Sequence, residues 1–153
     1  MSEMPPVPPM PPLPRDQWSI DRDHLNLLSV FHFVGAGLAL LGIFFLLAHY
    51  TFMHFMFTNE ALWQNQKGGP PPAAFFGIFI VFYGIMGAWF VASGILNVLS
   101  GLFLREQKYR TFSFVVAGIN CLHMPLGTIL GVFTIAVLMR DSVRQLYEGF
   151  GRR

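Results

Sequence analysis

Five histidines, His24, His32, His49, His54 and His123, are the side chains of this 153-residue chain best equipped for chemistry. Met53, Met56, Cys121 and Met124 stand near three of them in the sequence. Imidazole combined with thioether or thiolate suits copper, and two imidazoles can hold haem iron from either side. His49, His54 and His123 therefore form the candidate cofactor-binding set, and a membrane metal- or haem-binding redox protein is the competing functional reading. The five-residue spacing of His49 and His54 serves one helical face poorly. HxxxxH has no ligand spacing of its own, so no resident metal or cofactor is expected.

His32 differs because it stands deep inside an apolar run. An ionisable residue at membrane depth faces the bundle interior and finds a partner there. Asn97, a lone amide in the second run, is its expected partner by depth, and Thr134 is another. His32 and Asn97 are the candidate buried polar pair. None of the three apolar runs contains Asp or Glu. A proton relay or cation transporter usually needs one, so small-solute transport is the weakest reading. The chain carries no Ser-His-Asp set, metalloprotease helix or phosphate loop, which points away from an enzyme.

The elements that must position these residues are long and apolar. The composition is 54% hydrophobic and only 12% charged. A soluble domain carries about 25% charged residues. Leu25–Asn59 and Ala73–Leu104 are 35 and 32 residues without Asp, Glu, Lys or Arg. About 20 such residues cross a bilayer. Between them GGPPP ends any helix. The formal net charge is +2, with basic residues at the ends of apolar runs. That pattern is a topology signal and predicts no nucleic-acid partner. Cys121 is the single cysteine, so no intrachain disulfide forms.

Residues 4–14, MPPVPPMPPLP, hold seven prolines. Proline fixes φ and lacks a backbone donor, so residues 1–20 read as a disordered, extended tail. MSEMPPVPP lacks the basic start and short apolar core of a signal peptide, and no cleavage is expected. Asp21 or Asp23 is expected to cap the first helix. RDSVRQLYEGF is expected to continue the last helix beyond the membrane. The bundle is placed at residues 21–147 and a polar tail at 148–153.

The third run, Thr111–Met139, is 29 residues with Pro125 at its middle. As one helix kinked at Pro125 it gives three long helices and leaves five of the ten basic residues outside. As a hairpin turning at His123–Gly127 it gives four spans and leaves only Lys67 outside. The positive-inside rule favours the hairpin. The expectation is an all-α, four-helix transmembrane bundle. It is multi-pass, with a cytoplasmic N-terminus.

Small residues four apart let helix backbones approach closely. Gly84, Ala88 and Ala92, and the pair Gly127 and Gly131, are the expected helix-packing positions. The closing stretch MPLGTILGVFTIAVLMRDSVRQLY and the opening HLNLLSVFHFVGAGLALLG resemble small, largely uncharacterised bacterial multi-span membrane proteins. The resemblance covers about half the chain. It implies the multi-span class and a bacterial origin, and so a place in the bacterial inner membrane, and carries over no substrate, cofactor or catalytic residue. The function expected is a non-enzymatic structural or accessory component. Its partners are the lipid bilayer and either a second copy or a larger membrane complex.

Overall fold

The computed structural model describes residues 16–64, 68–69, 72–123 and 125–150. The proline-rich segment 4–14, Arg15, Lys67, Met124, Arg152 and Arg153 lie outside the described residues. Among the described residues the secondary structure is entirely helical: α1 Gln17–Thr58, a short 3-10 turn Glu60–Leu62, α2 Ala73–Glu106, α3 Arg110–Asn120, α4 Leu126–Leu138 and α5 Asp141–Phe150.

α1 begins before the expected carboxylate caps. Its first turn is closed by backbone bonds to the Asp16 carbonyl, including Ser19 N–H at 2.9 Å. Asp21 sits inside α1 and is fully buried. Arg140 Nη1 and Gln17 Nε2 each donate to Asp21 Oδ1 at 3.2 Å. Asp21, one of the two carboxylates expected to cap α1, instead ties the first turns of that helix to the link after α4.

α1 and α2 run antiparallel and in close contact. At 42 and 34 residues they extend over about 63 and 51 Å. Both are long and apolar enough to cross a membrane. α2 meets α1 along glycines spaced by seven. A methyl added at Gly94 would meet Ala39 Cβ at 3.6 Å, and one at Gly101 would meet the Ser29 carbonyl oxygen at 3.2 Å. Sevenfold spacing is the repeat of a left-handed helix crossing.

Thr111–Met139 is broken into an antiparallel hairpin. α3 ends at Asn120 and α4 starts after Pro125, which stands at its N-cap. Pro125 lacks a backbone donor, so the chain cannot continue the α3 ladder through it. The turn is closed by His123 N–H to Asn120 O at 2.9 Å and Thr128 N–H to His123 O at 3.1 Å. Thr128 Oγ1 donates to Cys121 O at 2.9 Å. Glycine brings the arms together. A methyl on Gly127 would lie 2.6 Å from Asn120 O, and one on Gly131 would lie 2.6 Å from Cys121 Sγ and nearer still to Ala117 O.

The hairpin arms are short. α3 has 11 residues and α4 has 13, or about 16 and 20 Å, against a hydrocarbon core of about 30 Å. α5 does not continue α4 outward. It bends away by 73°, and the two together can count as one broken span. By length and composition the described helices give two crossings, or three with that pair. The reason is geometric: the turn and the α2–α3 link consume residues that a second full hairpin would need. Val143 and Leu146 of α5 fold back onto a buried cluster with Leu25, Leu28, Leu104, Val137 and Leu138.

The α2–α3 link is tight. Gln107 and Tyr109 adopt left-handed backbone conformations, with φ of 56° and 49°. Lys108 N–H reaches back to Phe103 O at 2.9 Å, closing α2. The Glu106 carboxylate, 2.9 Å from Lys108 Nζ, raises that ammonium above its ordinary pKa. At the far side of the link, Arg110 Nε donates to Leu138 O at 3.0 Å and caps α4.

Candidate functional site

The centre of the bundle is a polar cluster to which each of the first four helices contributes one residue: His32, Asn97, Asn120 and Thr134. All four are buried, His32 and Thr134 completely. Small residues make room for them. A methyl on Gly35, one turn beyond His32 on α1, would already touch Asn97 Oδ1 at 3.4 Å.

The hydrogen bonds fix the orientation of the groups. Asn97 Nδ2 donates to the Ser93 carbonyl at 2.9 Å and to Asn120 Oδ1 at 3.2 Å. Asn97 Oδ1 faces the same amide, accepting from Asn120 Nδ2 at 2.8 Å. The two amides are paired head to tail. His32 Nδ1 lies 2.9 Å from the same Asn97 oxygen. Facing an acceptor, Nδ1 carries the proton, which leaves Nε2 with the lone pair. Nε2 is 3.3 Å from Thr134 Oγ1. That hydroxyl also lies 2.7 Å from Leu130 O. It has one hydrogen for two acceptors, and the shorter contact is to Leu130. His32 Nε2 is the loosest end of the network. One turn toward the basic end, Ser29 Oγ donates to Gly101 O at 2.7 Å, a second polar tie between α1 and α2.

Beside this cluster a groove of about 750 Å³ opens between α1 and α4. His24 and Arg140 stand at one end, and Phe90, His123 and Leu126 at the other. Leu27, Phe31, Val34, Ile129 and Phe133 form exposed apolar walls. Asn97, Asn120 and Ser93 reach its floor, the two amides and the Ser93 carbonyl engaged in the bonds above.

His49, His54 and His123 go to three separate partners. His49 Nδ1 is 2.6 Å from Tyr83 Oη. His54 packs edge-on against Phe76, with ring centroids 5.5 Å apart. His123 stacks on Trp89, whose Nε1 donates to its Nε2 at 2.9 Å. Trp89 is six residues along α2 from Tyr83, about 9 Å of rise. Among the described residues no group of three His, Cys, Asp or Glu is arranged to hold a metal ion.

The structure divides the expected packing residues. Gly127 and Gly131 are consumed inside the α3–α4 hairpin. Gly84 has nothing within 4 Å of a methyl added to it, and Gly84, Ala88 and Ala92 are all exposed. The pair His32–Asn97 is formed, and Thr134 joins it. Asn120 and the Asp21–Arg140 contact were not anticipated. A signal for Asn120 existed, because it is the single side-chain amide in Thr111–Met139, as Asn97 is in its own run. No protein-family model, curated protein or solved structure matches the chain.

Proposed function

We propose that this protein is a non-enzymatic structural or accessory component of a membrane, associating through α2 with a second membrane helix. That helix belongs to another copy of the chain or to a larger membrane complex. The observation that carries this reading is the outward row Gly84, Ala88 and Ala92. α2 has two rows of small residues. One, containing Gly94 and Gly101, faces α1 at close range. The other lies on an exposed face beside the large side chains Val81, Ile85, Trp89 and Ile95. Lipid tails are as apolar as leucine, so a row of small residues gains little by facing them. It gains by admitting a second backbone.

In this reading the α3–α4 hairpin completes a four-span bundle. Arg22, Arg105, Lys108, Arg110, Arg140 and Arg144 cluster at the end where α1 begins and α2 ends, which is supported by Arg140 meeting Asp21 and by Arg110 capping Leu138. That end is assigned to the cytoplasm of a bacterial cell by the positive-inside rule. A pair of C-terminal reporter fusions, one active in the cytoplasm and one outside it, tests the topology. Activity only outside would refute the four-span arrangement. For the association, replacing Gly84 and Ala88 together by Leu is expected to shift the full-length protein in detergent from its assembled mass to a monomer, or to abolish its co-purification with a partner. The helical content is expected to hold. An unchanged mass and unchanged co-purification would defeat the proposal.

A further inference from the structure

We propose that the groove between α1 and α4 binds one anionic membrane lipid, its acyl chain along the apolar walls and its phosphate at Arg140 and His24. The argument begins with shape. From His24 to Ala39 the groove follows 15 residues of α1, about 22 Å of rise. One leaflet of a bilayer core is about 15 Å deep, so the groove accepts a full lipid tail from its basic end. Its volume of about 750 Å³ lies in the usual range for small-molecule sites, roughly 300–1,000 Å³. It opens sideways between Phe31, Val34, Ile129 and Phe133, all exposed apolar residues. In a membrane the molecules that meet such an opening are lipids.

Charge selects among them. Arg140 uses Nη1 for both of its contacts, Asp21 at 3.2 Å and His24 at 3.1 Å. Among the described residues, its Nε and Nη2 make no hydrogen bond. The guanidinium is thus fixed at the groove mouth with donors left over, in the fork geometry that suits phosphate. It is also partly exposed, with 44% of its side chain accessible, at the level where a lipid headgroup lies. The groove floor beside the basic end offers little competing polarity, because the amides of Asn97 and Asn120 satisfy each other and His32 Nδ1; His123 Nδ1, unpartnered among the described residues, lies at the opposite end. The walls hold any tail about equally well in a bilayer, since tail and surrounding lipid are alike. Preference therefore comes from the headgroup, about fivefold for one basic residue near the surface. This site is independent of the α2 row, so its failure and the failure of the association can be told apart.

The test is native mass spectrometry of the full-length protein in neutral detergent, titrated separately with dioleoyl phosphatidylglycerol, dioleoyl phosphatidylcholine and inorganic phosphate. One phosphatidylglycerol is expected to bind at least about fivefold more tightly than phosphatidylcholine, with no retained inorganic phosphate. Arg140→Gln is expected to erase the difference between the two lipids. Because that change leaves Asp21 buried without its charged partner, Val34→Trp serves as the second variant. It fills the groove from an exposed wall and leaves the ion pair intact. It is expected to reduce retention of phosphatidylglycerol tenfold or more. Equal affinity for the two lipids in the unmodified protein would overturn the proposal. So would phosphate bound as well as the lipid, or retention unaffected by Val34→Trp.

Discussion

The two halves of this molecule are held together by different physics, although α1 and α2 run through both. In the half proposed to lie inside, the inner half, the hairpin and α5 complete a helical cluster, glycines bring backbones into contact, and one polar residue from each of four helices meets at the centre. Beyond the hairpin tip at His123, α1 and α2 continue as a two-helix arm. There the contacts are rings: His49 and Tyr50 against Tyr83, His54 against Phe76, and Phe57 against Phe79. Two helices cannot enclose a core, so that arm exposes much of what it carries, including Phe44 at 64% and Phe45 at 73%. The inner half is specified by shape and hydrogen bonding. The outer arm is specified by apolar bulk, which tolerates change.

The sharpest way to break that contrast is at Gly131. Its neighbours are the backbone and side chain of α3, so a substituent has nowhere to move. Gly131→Leu is expected to destabilise the fold by about 3 kcal/mol or more, by forcing the hairpin arms apart. Thermal unfolding in detergent, followed by circular dichroism, reads this directly. A loss below about 1 kcal/mol would mean that the hairpin is loosely packed. Next is Asn97→Leu. It removes the residue that bonds both His32 and Asn120 and leaves their polar groups buried without partners. The expected loss is about 2 kcal/mol, because stranded buried donors cost more than an average membrane hydrogen bond. A change within about 0.5 kcal/mol would show that the cluster does not hold the helices together.

A gain is expected at the α2–α3 link. Gln107 has a left-handed backbone, which costs an L-residue about 1–2 kcal/mol and a glycine almost nothing. Gln107→Gly is expected to raise stability by about 0.5–1 kcal/mol, after the extra freedom of glycine in the unfolded chain is subtracted. A drop in melting temperature would indicate that the Gln107 side chain makes contacts worth more than the strain.

Much of the inner half was legible in the sequence. Pro125 and the basic residues flanking Thr111–Met139 located the break, because proline chemistry and charge placement act locally. His32 and Asn97 could be matched by depth along antiparallel helices. Asn120 escaped because a long uncharged run reads as uniformly apolar when amides are not weighed. The two small-residue rows of α2 could not be told apart. Both faces of the helix are apolar, and only the crossing angle with α1 decides that the sevenfold row goes inward. α5 was legible as helical but was expected to run straight on from α4; its 73° turn depends on Val143 and Leu146 finding the Leu25 cluster, a tertiary contact. The separation of the outer histidines has the same origin. It follows from how far a short hairpin reaches along two long helices.

The smallest effect should come from the arm itself. Tyr83→Phe deletes the hydroxyl that meets His49 at 2.6 Å and keeps the ring that packs on Tyr50 and Phe79. If aromatic bulk holds the arm, the loss is that of one interhelical membrane hydrogen bond, about 0.6 kcal/mol. Tyr83→Ala would then cost several times more, since it removes the ring as well. The ratio of the two losses is the informative quantity. Equal losses would mean that the arm, like the inner half, is held by hydrogen bonding, and the contrast between the two halves would collapse. A small loss for Phe and a large one for Ala would place the outer arm's cohesion in its rings, with the His49–Tyr83 hydrogen bond a minor addition.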